Sequence, residues 1–297
     1  MRWGIDLGGT KIEGIIIDSS SNNQVIARHR LPTEGDKGYH HVLFQIKKLV
    51  EILEQESGLK PEKIGIGTPG SIYPPTGHLK NSNSQHLNDQ PLLADLQNLL
   101  QLPMAMANDA NCFALAETHL GIVPEVAPSA GVVFGVIMGT GVGGGIVVNG
   151  QILNGANGIG GEWGHNFLHE SGGSCYCGKI GCVETVISGP GLERYYTQVS
   201  GKYKPLKEIV SDQKSDPLAK ATMNRLIQYF GIAISTIINM VDPDVIVIGG
   251  GVGNIDLLYT KGIEEVKKHV FNPECATQIL KPKLGDSAGV FGAAILN

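Results

Sequence analysis

One short segment of this chain contains three thiols and an imidazole. They belong to His165, Cys175, Cys177 and Cys182, and glycines are interspersed among the cysteines. Thiolate sulfur and imidazole nitrogen are the ligands of tetrahedral zinc sites. With four protein ligands no position remains for a reactive water, so the pattern predicts a structural zinc ion. The alternative is a flexible loop with reduced, buried cysteines.

Two glycine-rich turns follow apolar strands in different halves of the chain. The first lies within Gly4–Lys11 and the second within Val136–Gly145, and each contains a threonine. Glycines leave backbone N–H groups free to face an anion. A single such turn is more often a tight hairpin, but the pair favours binding of a nucleotide phosphate tail. A third glycine run, Gly249–Gly251, is either a simple turn or a wall for the adenosine.

A carboxylate, Asp109, follows an apolar strand in the sequence Asn108-Asp-Ala-Asn111. Asn and Asp are preferred helix N-caps, so Asp109 could serve only to bind the free amides of a first helical turn. The alternative is that it accepts the proton of an attacking hydroxyl. Phosphoryl transfer mainly requires positioning and charge neutralisation, and one carboxylate is sufficient as its base.

Hydrophobic periodicity and turn residues predict the elements that position these groups. Each half has the order βββαβαβα, and Asn149-Gly150 predicts a type I′ hairpin turn. The predicted strands span residues 2–7, 11–17, 24–31, 63–67, 103–107, 132–138, 143–148, 151–153 and 244–248. This repetition predicts a duplicated α/β fold with two lobes and the nucleotide in the cleft between them. We expect an N-terminal lobe, residues 1–121, and a C-terminal lobe, residues 122–297, whose last helix could pack back on the N-terminal lobe.

Composition narrows the classes of partner. The chain has 297 residues, of which 23 are basic and 28 acidic, and its net charge is −5. No stripe of Lys and Arg stands out that could neutralise a row of phosphates, so nucleic acid is not expected. No apolar run reaches the roughly eighteen residues of a membrane span, and no basic-then-apolar leader begins the sequence. We therefore expect a cytoplasmic protein that binds small molecules and no membrane.

Together these motifs resemble the ROK family, bacterial sugar kinases and related repressors with the actin-like and hexokinase-like (ribonuclease H-like) ATPase fold. The similarity runs nearly end to end. Its most specific part is Glu162-Trp-Gly-His165 with the run Cys-x-Cys-Gly-x-x-Gly-Cys-x-Glu that ends at Glu184. The other matching motifs are Asp6–Lys11, Gly67–Gly70, Asn108–Asn111, Gly139–Gly145, Asp242–Asp244 and Gly249–Gly251.

The resemblance implies a phosphotransferase with an alcohol group as acceptor, with ATP and Mg²⁺, with Asp109 as catalytic base, and with zinc on the four residues named first. The implied sugar contacts are Gly70, Asn83, Asn108, Asp109, Glu162, His165 and Glu184. The implied nucleotide contacts are Gly4, Ile5, Asp6, Leu7, Gly8, Gly9, Thr10, Lys11, Gly139, Thr140, Gly141, Gly250 and Gly251. A homodimer is also implied.

Within the family, the segments Gly70–Gly77, Asn81–Asn83 and Gly161–Asn166 resemble the fructokinase or mannofructokinase branch. The main expectation is therefore phosphorylation of the 6-hydroxyl of fructose or mannose. The segment between His165 and Cys175 is shorter than in that branch and resembles glucokinases and N-acetylhexosamine kinases, which are the alternative.

Two alternatives belong to other classes. A sugar-sensing repressor would need a helix-turn-helix ahead of the first strand, which here begins by Trp3. A zinc-stapled binding protein would have an inactive nucleotide site, and the joint presence of Asp6, Thr10, Asp109 and Thr140 argues against it.

Overall fold

The computed structural model describes residues 1–296, apart from the side chain of Asp286. The strands are β1 (Arg2–Leu7), β2 (Lys11–Asp18), β3 (Gln24–Pro32), β4 (Ile64–Thr68), β5 (Ser71–Ile72), β6 (Leu79–Lys80), β7 (Met104–Asn108), β8 (Val132–Met138), β9 (Val142–Val148), β10 (Gln151–Ile152), β11 (Val245–Gly249) and β12 (Gln278–Leu280). The helices are α1 (Tyr39–Ser57), α2 (Leu92–Leu100), α3 (Asp109–His119), α4 (Val123–Val126), α5 (Val183–Ile187), α6 (Gly189–Ser200), α7 (Leu206–Asp212), α8 (Pro217–Val241), α9 (Gly250–Gly253), α10 (Lys261–His269) and α11 (Ala288–Ala294).

The chain forms two compact units. Unit 1 comprises Met1–Pro124, Gln151–Gly160 and Leu284–Asn297, and unit 2 comprises Glu125–Gly150 and Gly161–Lys283. The division into an N-terminal and a C-terminal lobe after residue 121 stays a prediction. The compact units differ from it, since two segments from the second half of the chain belong to unit 1.

Both units contain a mixed sheet of the same pattern. In unit 1 the strand order is β3-β2-β1-β4-β7, with β1 and β2 antiparallel and with β1, β4 and β7 parallel. In unit 2 the order β9-β8-β11-β12 repeats this pattern, with β8 and β9 antiparallel and the others parallel. This repetition agrees with the predicted duplicated α/β fold.

Local sequence signals account for several elements. Strands β1 and β8 have their predicted bounds. Asn149 and Gly150 have φ values of 49° and 77°, as a type I′ turn requires, so the predicted turn is confirmed. Strand β12 was not predicted, because a strand of three residues shows no alternation that a pattern could reveal.

The hydrophobic cores lie between the sheets and their helices. In unit 1, the apolar stripe of α1, which includes Val42, Ile46 and Leu49, is buried in one cluster with β1, β2 and β4. In unit 2, α8 contributes the fully buried Phe230 to a cluster with β8 and β11. None of the helices among the described residues is both long and apolar enough to span a lipid bilayer.

Helix α11 touches the backbone of the unit 1 sheet because glycines remove the side chains between them. A Cβ on Gly65 in β4 would lie 1.8 Å from the carbonyl oxygen of Ala293. A Cβ on Gly4 in β1 would lie 2.4 Å from the backbone nitrogen of Ala294. A Cβ on Gly292 would lie 1.8 Å from the carbonyl oxygen of Cys112 in α3. Only glycine is compatible with backbones at these distances.

We predict that Gly65→Ala destabilises unit 1. The added methyl group would overlap a carbonyl oxygen that the helix holds in place, so β4 and α11 would have to separate. Overpacking of this kind costs about 1–3 kcal/mol, which would lower the urea midpoint and the Tm. The control is Gly131→Ala, whose Cβ would meet its nearest neighbour at 3.6 Å, an ordinary contact. If the two variants are equally stable, the close packing of α11 on β4 is contradicted.

Candidate functional site

Two carboxylates of unit 1 lie at the ends of two parallel strands that β4 separates, and the charge of one affects the pKa of the other. Asp6 is near the end of β1, and Asp109 is the first residue of α3, directly after β7. Burial raises the pKa of Asp6 to about 6, and the negative charges of Asp109 and Glu13 add to this effect. Lys11 and Arg30 oppose it more weakly. The fold therefore places two repelling acids where a cation would relieve the repulsion.

The structure separates the two predicted roles of the Asn108-Asp109 pair. Asn108 is the N-cap of α3, since its Oδ1 accepts a hydrogen bond from the backbone N–H of Ala110 at 2.9 Å. Its Nδ2 donates to the carbonyl oxygen of Gly70 at 2.9 Å. Asp109 accepts from Ala110 as well, at 2.7 Å. Because Asn108 provides the cap, capping alone does not account for Asp109.

Asp109 has the properties of an accessible base. The residue as a whole is exposed to solvent, but many protein atoms surround its carboxyl group. This burial of the carboxyl group is the main cause of its raised pKa. Its hydrogen bond from Ala110 opposes this rise. A carboxylate with a raised pKa holds an accepted proton more firmly, which general base catalysis near neutral pH requires.

Gly70, which accepts a hydrogen bond from Asn108, also contacts the segment that contains Asn83, another predicted sugar contact. Its φ is +83°, and a Cβ there would lie 2.5 Å from the carbonyl oxygen of Lys80 and 2.9 Å from the backbone nitrogen of Ser82. The exposed Asn83 follows. The next residue, Ser84, places its Oγ 3.5 Å from where a Cβ of Gly9 would lie. Asn83 therefore lies between a residue that contacts Gly70 and one near the first glycine turn.

The first glycine turn is a tight hairpin. The backbone N–H of Gly8 donates to the carbonyl oxygen of Lys11 at 2.9 Å, and the hydroxyl of Thr33 donates to the carbonyl oxygen of Gly8 at 2.6 Å. Gly9 and Thr10 are exposed at its tip. The geometry is that of the hairpin alternative, and the exposed glycine backbone at the tip remains accessible to an anion.

In unit 2 the second glycine turn meets the third glycine run. The backbone N–H of Gly139 donates to the carbonyl oxygen of Gly141 at 2.9 Å. Gly250 has a φ of +84°, and a Cβ there would lie 2.3 Å from the carbonyl oxygen of Met138. A Cβ on Gly139 would lie 3.8 Å from the backbone nitrogen of Gly251. The two segments predicted to bind the nucleotide therefore lie next to each other, at the ends of β8 and β11.

A cavity of about 440 Å³ in unit 2 extends from Gly251 to helix α7. Its apolar lining includes Leu206, Val210 and Ile255, and polar groups come from Gln213 and other residues nearby. Mostly apolar walls with a few polar groups are typical of sites for small-molecule ligands and cofactors. The sequence identified the Gly250–Gly251 side of this cavity but not the side formed by α7, whose contribution depends on helix packing.

Glu184 contacts the second glycine turn. Its Oε2 accepts a hydrogen bond from the backbone N–H of Val142 at 3.0 Å, and a Cβ on Gly141 would lie 2.6 Å from the same oxygen. The sequence predicted a sugar contact for Glu184. The structure connects this residue, which follows Cys182 in the chain, directly to the turn predicted to bind phosphate.

The segment that carries Glu162 and His165 is anchored on β9. The indole nitrogen of Trp163 donates to the carbonyl oxygen of Gly143 at 3.1 Å, and its ring meets Phe134 edge to face at 6.3 Å. A Cβ on Gly164 would lie 1.9 Å from the carbonyl oxygen of Val142. The backbone contact of Gly164 with β9 therefore determines the position of His165, the next residue.

The four predicted metal ligands converge. One ligand atom from each of His165, Cys175, Cys177 and Cys182 lies within 4.8 Å of all the others. The Sγ atoms of Cys177 and Cys182 are 3.6 Å apart, and Sγ of Cys175 is 3.5 Å from Nδ1 of His165. A zinc ion with bonds of about 2.3 Å to sulfur and about 2.0 Å to nitrogen needs ligand separations of roughly 3.5–3.8 Å. The donor set and its spacing fit zinc.

Both ring nitrogens of His165 have neighbours. Nδ1 faces Cys175, and Nε2 lies 3.0 Å from the hydroxyl oxygen of Tyr176. A direct sugar contact through Nε2 would therefore require Tyr176 to move. Tyr176 was not among the residues predicted from the sequence. Its position between two of the predicted cysteine ligands was the available signal, because a residue there must lie beside the converging thiols.

Comparison with known proteins adds an independent line of evidence. The sequence model of the ROK family matches residues 2–297. The chain belongs to the ROK family. It is 35% identical to the N-acetyl-D-glucosamine kinase of Yersinia pseudotuberculosis, over 100% of this chain and 99% of that protein. The enzyme of the same name from Vibrio cholerae is 34% identical, over 100% of this chain and 99% of that protein.

A solved structure agrees with the fold. The ROK hexokinase from Thermus thermophilus superposes with a TM-score of 0.87 at 32% identity, over 99% of this chain and 96% of that one. The predicted family and fold are therefore confirmed. The enzyme class is confirmed with them, a phosphotransferase with an alcohol group as acceptor.

We predict that Asp6→Asn stabilises the magnesium-free, nucleotide-free protein above about pH 6. The pKa of Asp6 rises from its ordinary value of 3.8 to about 6 in the folded state. Between these values the folded protein keeps a proton that the unfolded chain releases, so stability falls as pH rises. The loss levels off above about pH 6 at roughly 3 kcal/mol, from a pKa difference of about two units.

The measurement is the unfolding midpoint of both proteins from pH 4 to pH 8. The gain from Asp6→Asn should be absent near pH 4 and reach its maximum above about pH 6. Asp36→Asn, at an exposed position of the same unit, is the matched control and should show no such rise. A stability difference that does not vary with pH would contradict the shifted pKa of Asp6.

Proposed function

We propose that this ROK protein is an ATP-dependent kinase of N-acetyl-D-glucosamine that phosphorylates the sugar's 6-hydroxyl. The observation that carries the proposal is identity of about one third along the whole chain to enzymes named N-acetyl-D-glucosamine kinase. The comparisons do not bear out the fructose or mannose expectation, and the N-acetylhexosamine alternative agrees with them better.

The proposed mechanism assigns the proton transfer to Asp109. Its carboxylate accepts the proton of the sugar hydroxyl as the hydroxyl oxygen attacks the γ-phosphorus of ATP, and ADP leaves. The accessible position and raised pKa of Asp109 suit this role. Asn108, which is held by Gly70 and caps α3, fixes the backbone from which Asp109 projects.

The nucleotide contacts are proposed from both units. In unit 1 they come from Asp6 and the turn Gly8–Thr10. In unit 2 they come from the turn Gly139–Gly141 and from Gly250 and Gly251, beside the apolar cavity proposed for adenosine. Mg²⁺ bound with ATP would neutralise phosphate charge, and Asp6 is the residue we assign to it, since its raised pKa marks a carboxylate without a cationic partner of equal strength.

Zinc is proposed as a structural ion on the converging thiols and imidazole of unit 2. Burial and then hydrogen bonds with the neighbouring thiols raise the pKa of Cys182 to about 12, so this thiol becomes a thiolate only with a cation. Such a centre would hold Glu162 and Glu184 at the two ends of one rigid segment. We assign sugar hydroxyl contacts to these two carboxylates. A homodimer stays a prediction.

The experiment is ADP release with magnesium-ATP against N-acetyl-D-glucosamine, N-acetylmannosamine, glucose, mannose and fructose. We expect the highest kcat/KM for N-acetyl-D-glucosamine, by about tenfold or more, because a pocket with polar groups for the acetamido substituent penalises sugars that leave them unpaired. 6-Deoxy-N-acetylglucosamine is the matched control and should not be phosphorylated. Preference for fructose or mannose would overturn the proposed sugar, and silence on all five would overturn the kinase.

We predict that Asp109→Asn lowers kcat by about 10²–10⁴-fold, the usual contribution of a general base. The amide cannot accept the proton, whereas its similar size should leave sugar and ATP binding within a few fold of wild type. Binding is measured by calorimetry and turnover by ADP release. Asp36→Asn is the control for removal of a carboxylate from unit 1. Normal turnover in a folded Asp109→Asn protein would remove Asp109 from the base role.

A further inference from the structure

Tyr176 contacts the one candidate zinc ligand that is not a cysteine. Its hydroxyl oxygen lies 3.0 Å from Nε2 of His165. The two rings also meet edge to face, with centroids 5.1 Å apart and planes at 88°. Tyr176 is 67% exposed, yet its ring and its hydroxyl contact the same imidazole. The ring contact therefore holds the hydroxyl at one ring nitrogen.

The other ring nitrogen of His165 faces the thiols. Nδ1 lies 3.5 Å from Sγ of Cys175. An imidazole nitrogen binds a metal through its lone pair, so Nδ1 must be unprotonated. The proton of the neutral ring is then on Nε2. It follows that Nε2–H donates the hydrogen bond and that the oxygen of Tyr176 accepts it.

We propose that Tyr176 is a positioning residue of the metal centre: by accepting from Nε2–H, it holds His165 in the tautomer and ring orientation that present Nδ1 to the metal. This inference rests on the zinc site proposed above. Metal-bound imidazoles usually donate their second N–H to a fixed acceptor, and loss of such a partner weakens metal binding about 10–100-fold. Here the acceptor comes from the residue between two cysteine ligands, so one short turn supplies both the thiolates and the group that orients the histidine.

Water could also accept from Nε2–H at this exposed position, but it would first have to be immobilised. The tyrosine oxygen is already held by the ring contact and by the turn, where the backbone N–H of Gly178 donates to the carbonyl oxygen of Cys175 at 3.0 Å. Because water can partly replace the hydroxyl as acceptor, the effect of removing it should lie at the lower end of the usual range, at about tenfold.

The test compares wild type with Tyr176→Phe, which keeps the ring and removes the acceptor. Zinc affinity is measured by competition with a chromophoric chelator of known affinity, and we expect about tenfold weaker binding in the variant. Tyr203→Phe is the matched control, since it removes an exposed hydroxyl of unit 2 that lies 3.4 Å from Glu193, away from the thiols. The control should bind zinc as wild type does.

A second readout separates tautomer control from general destabilisation. In metal-free protein with ¹⁵N-labelled histidine, the resonances of His165, assigned by their loss in His165→Asn, should show the Nε2–H tautomer in wild type and a mixture of tautomers in Tyr176→Phe. A third variant, Tyr176→Leu, removes the ring as well and should bind zinc no better than Tyr176→Phe.

The outcomes are distinct. Weaker zinc binding and mixed tautomers in Tyr176→Phe support the proposal. Unchanged affinity and tautomer in Tyr176→Phe overturn it, and if only Tyr176→Leu is impaired, ring packing rather than the hydroxyl supports the centre. If the wild-type protein binds no zinc at all, the metal site itself fails, and this inference fails with it.

Discussion

Direct contact between backbones, which only glycine permits, positions both candidate sites. In unit 1, Gly4 and Gly65 let α11 touch β1 and β4, and Gly292 lets the same helix touch α3. Asp6 lies on β1, and Asp109 is the first residue of α3. Side chains at the glycines would push the elements apart by more than an ångström, a displacement large enough to disrupt the alignment that phosphoryl transfer requires. In unit 2, glycine contacts with β8 and β9 position the second turn and the histidine segment in the same way.

Both units contain acidic groups whose charged forms a bound cation would stabilise. Burial and mutual repulsion raise the pKa of Asp6, and burial raises the pKa of Cys182. Above about pH 6 the charged carboxylate of Asp6 lowers the stability of the protein, and a bound cation would offset this loss. The carboxylates of unit 1 suit a hard cation held with phosphate. The thiols of unit 2 suit a soft one, so the two sites would select different metals from the same solution.

Local patterns predicted much of the fold because they are read within a few residues. The stripe of Val42, Ile46 and Leu49 follows the helical period, and Asn149-Gly150 occupies the left-handed conformation of its turn. Strand β12 and the side of the cavity formed by α7 were not predicted. Three residues carry no period, and a cavity wall depends on how a helix packs rather than on its own pattern.

The sequence by itself determined the family, the duplicated fold and the four converging candidate ligands of a metal ion, because these depend on residue types at fixed spacings along the chain. Only the tertiary structure decided the finer assignments. It assigned the cap to Asn108 and left Asp109 accessible, placed Glu184 on the second glycine turn, and set Tyr176 against His165. Each of these depends on the direction of a side chain and on the close approach of backbones, and no local pattern encodes either of them.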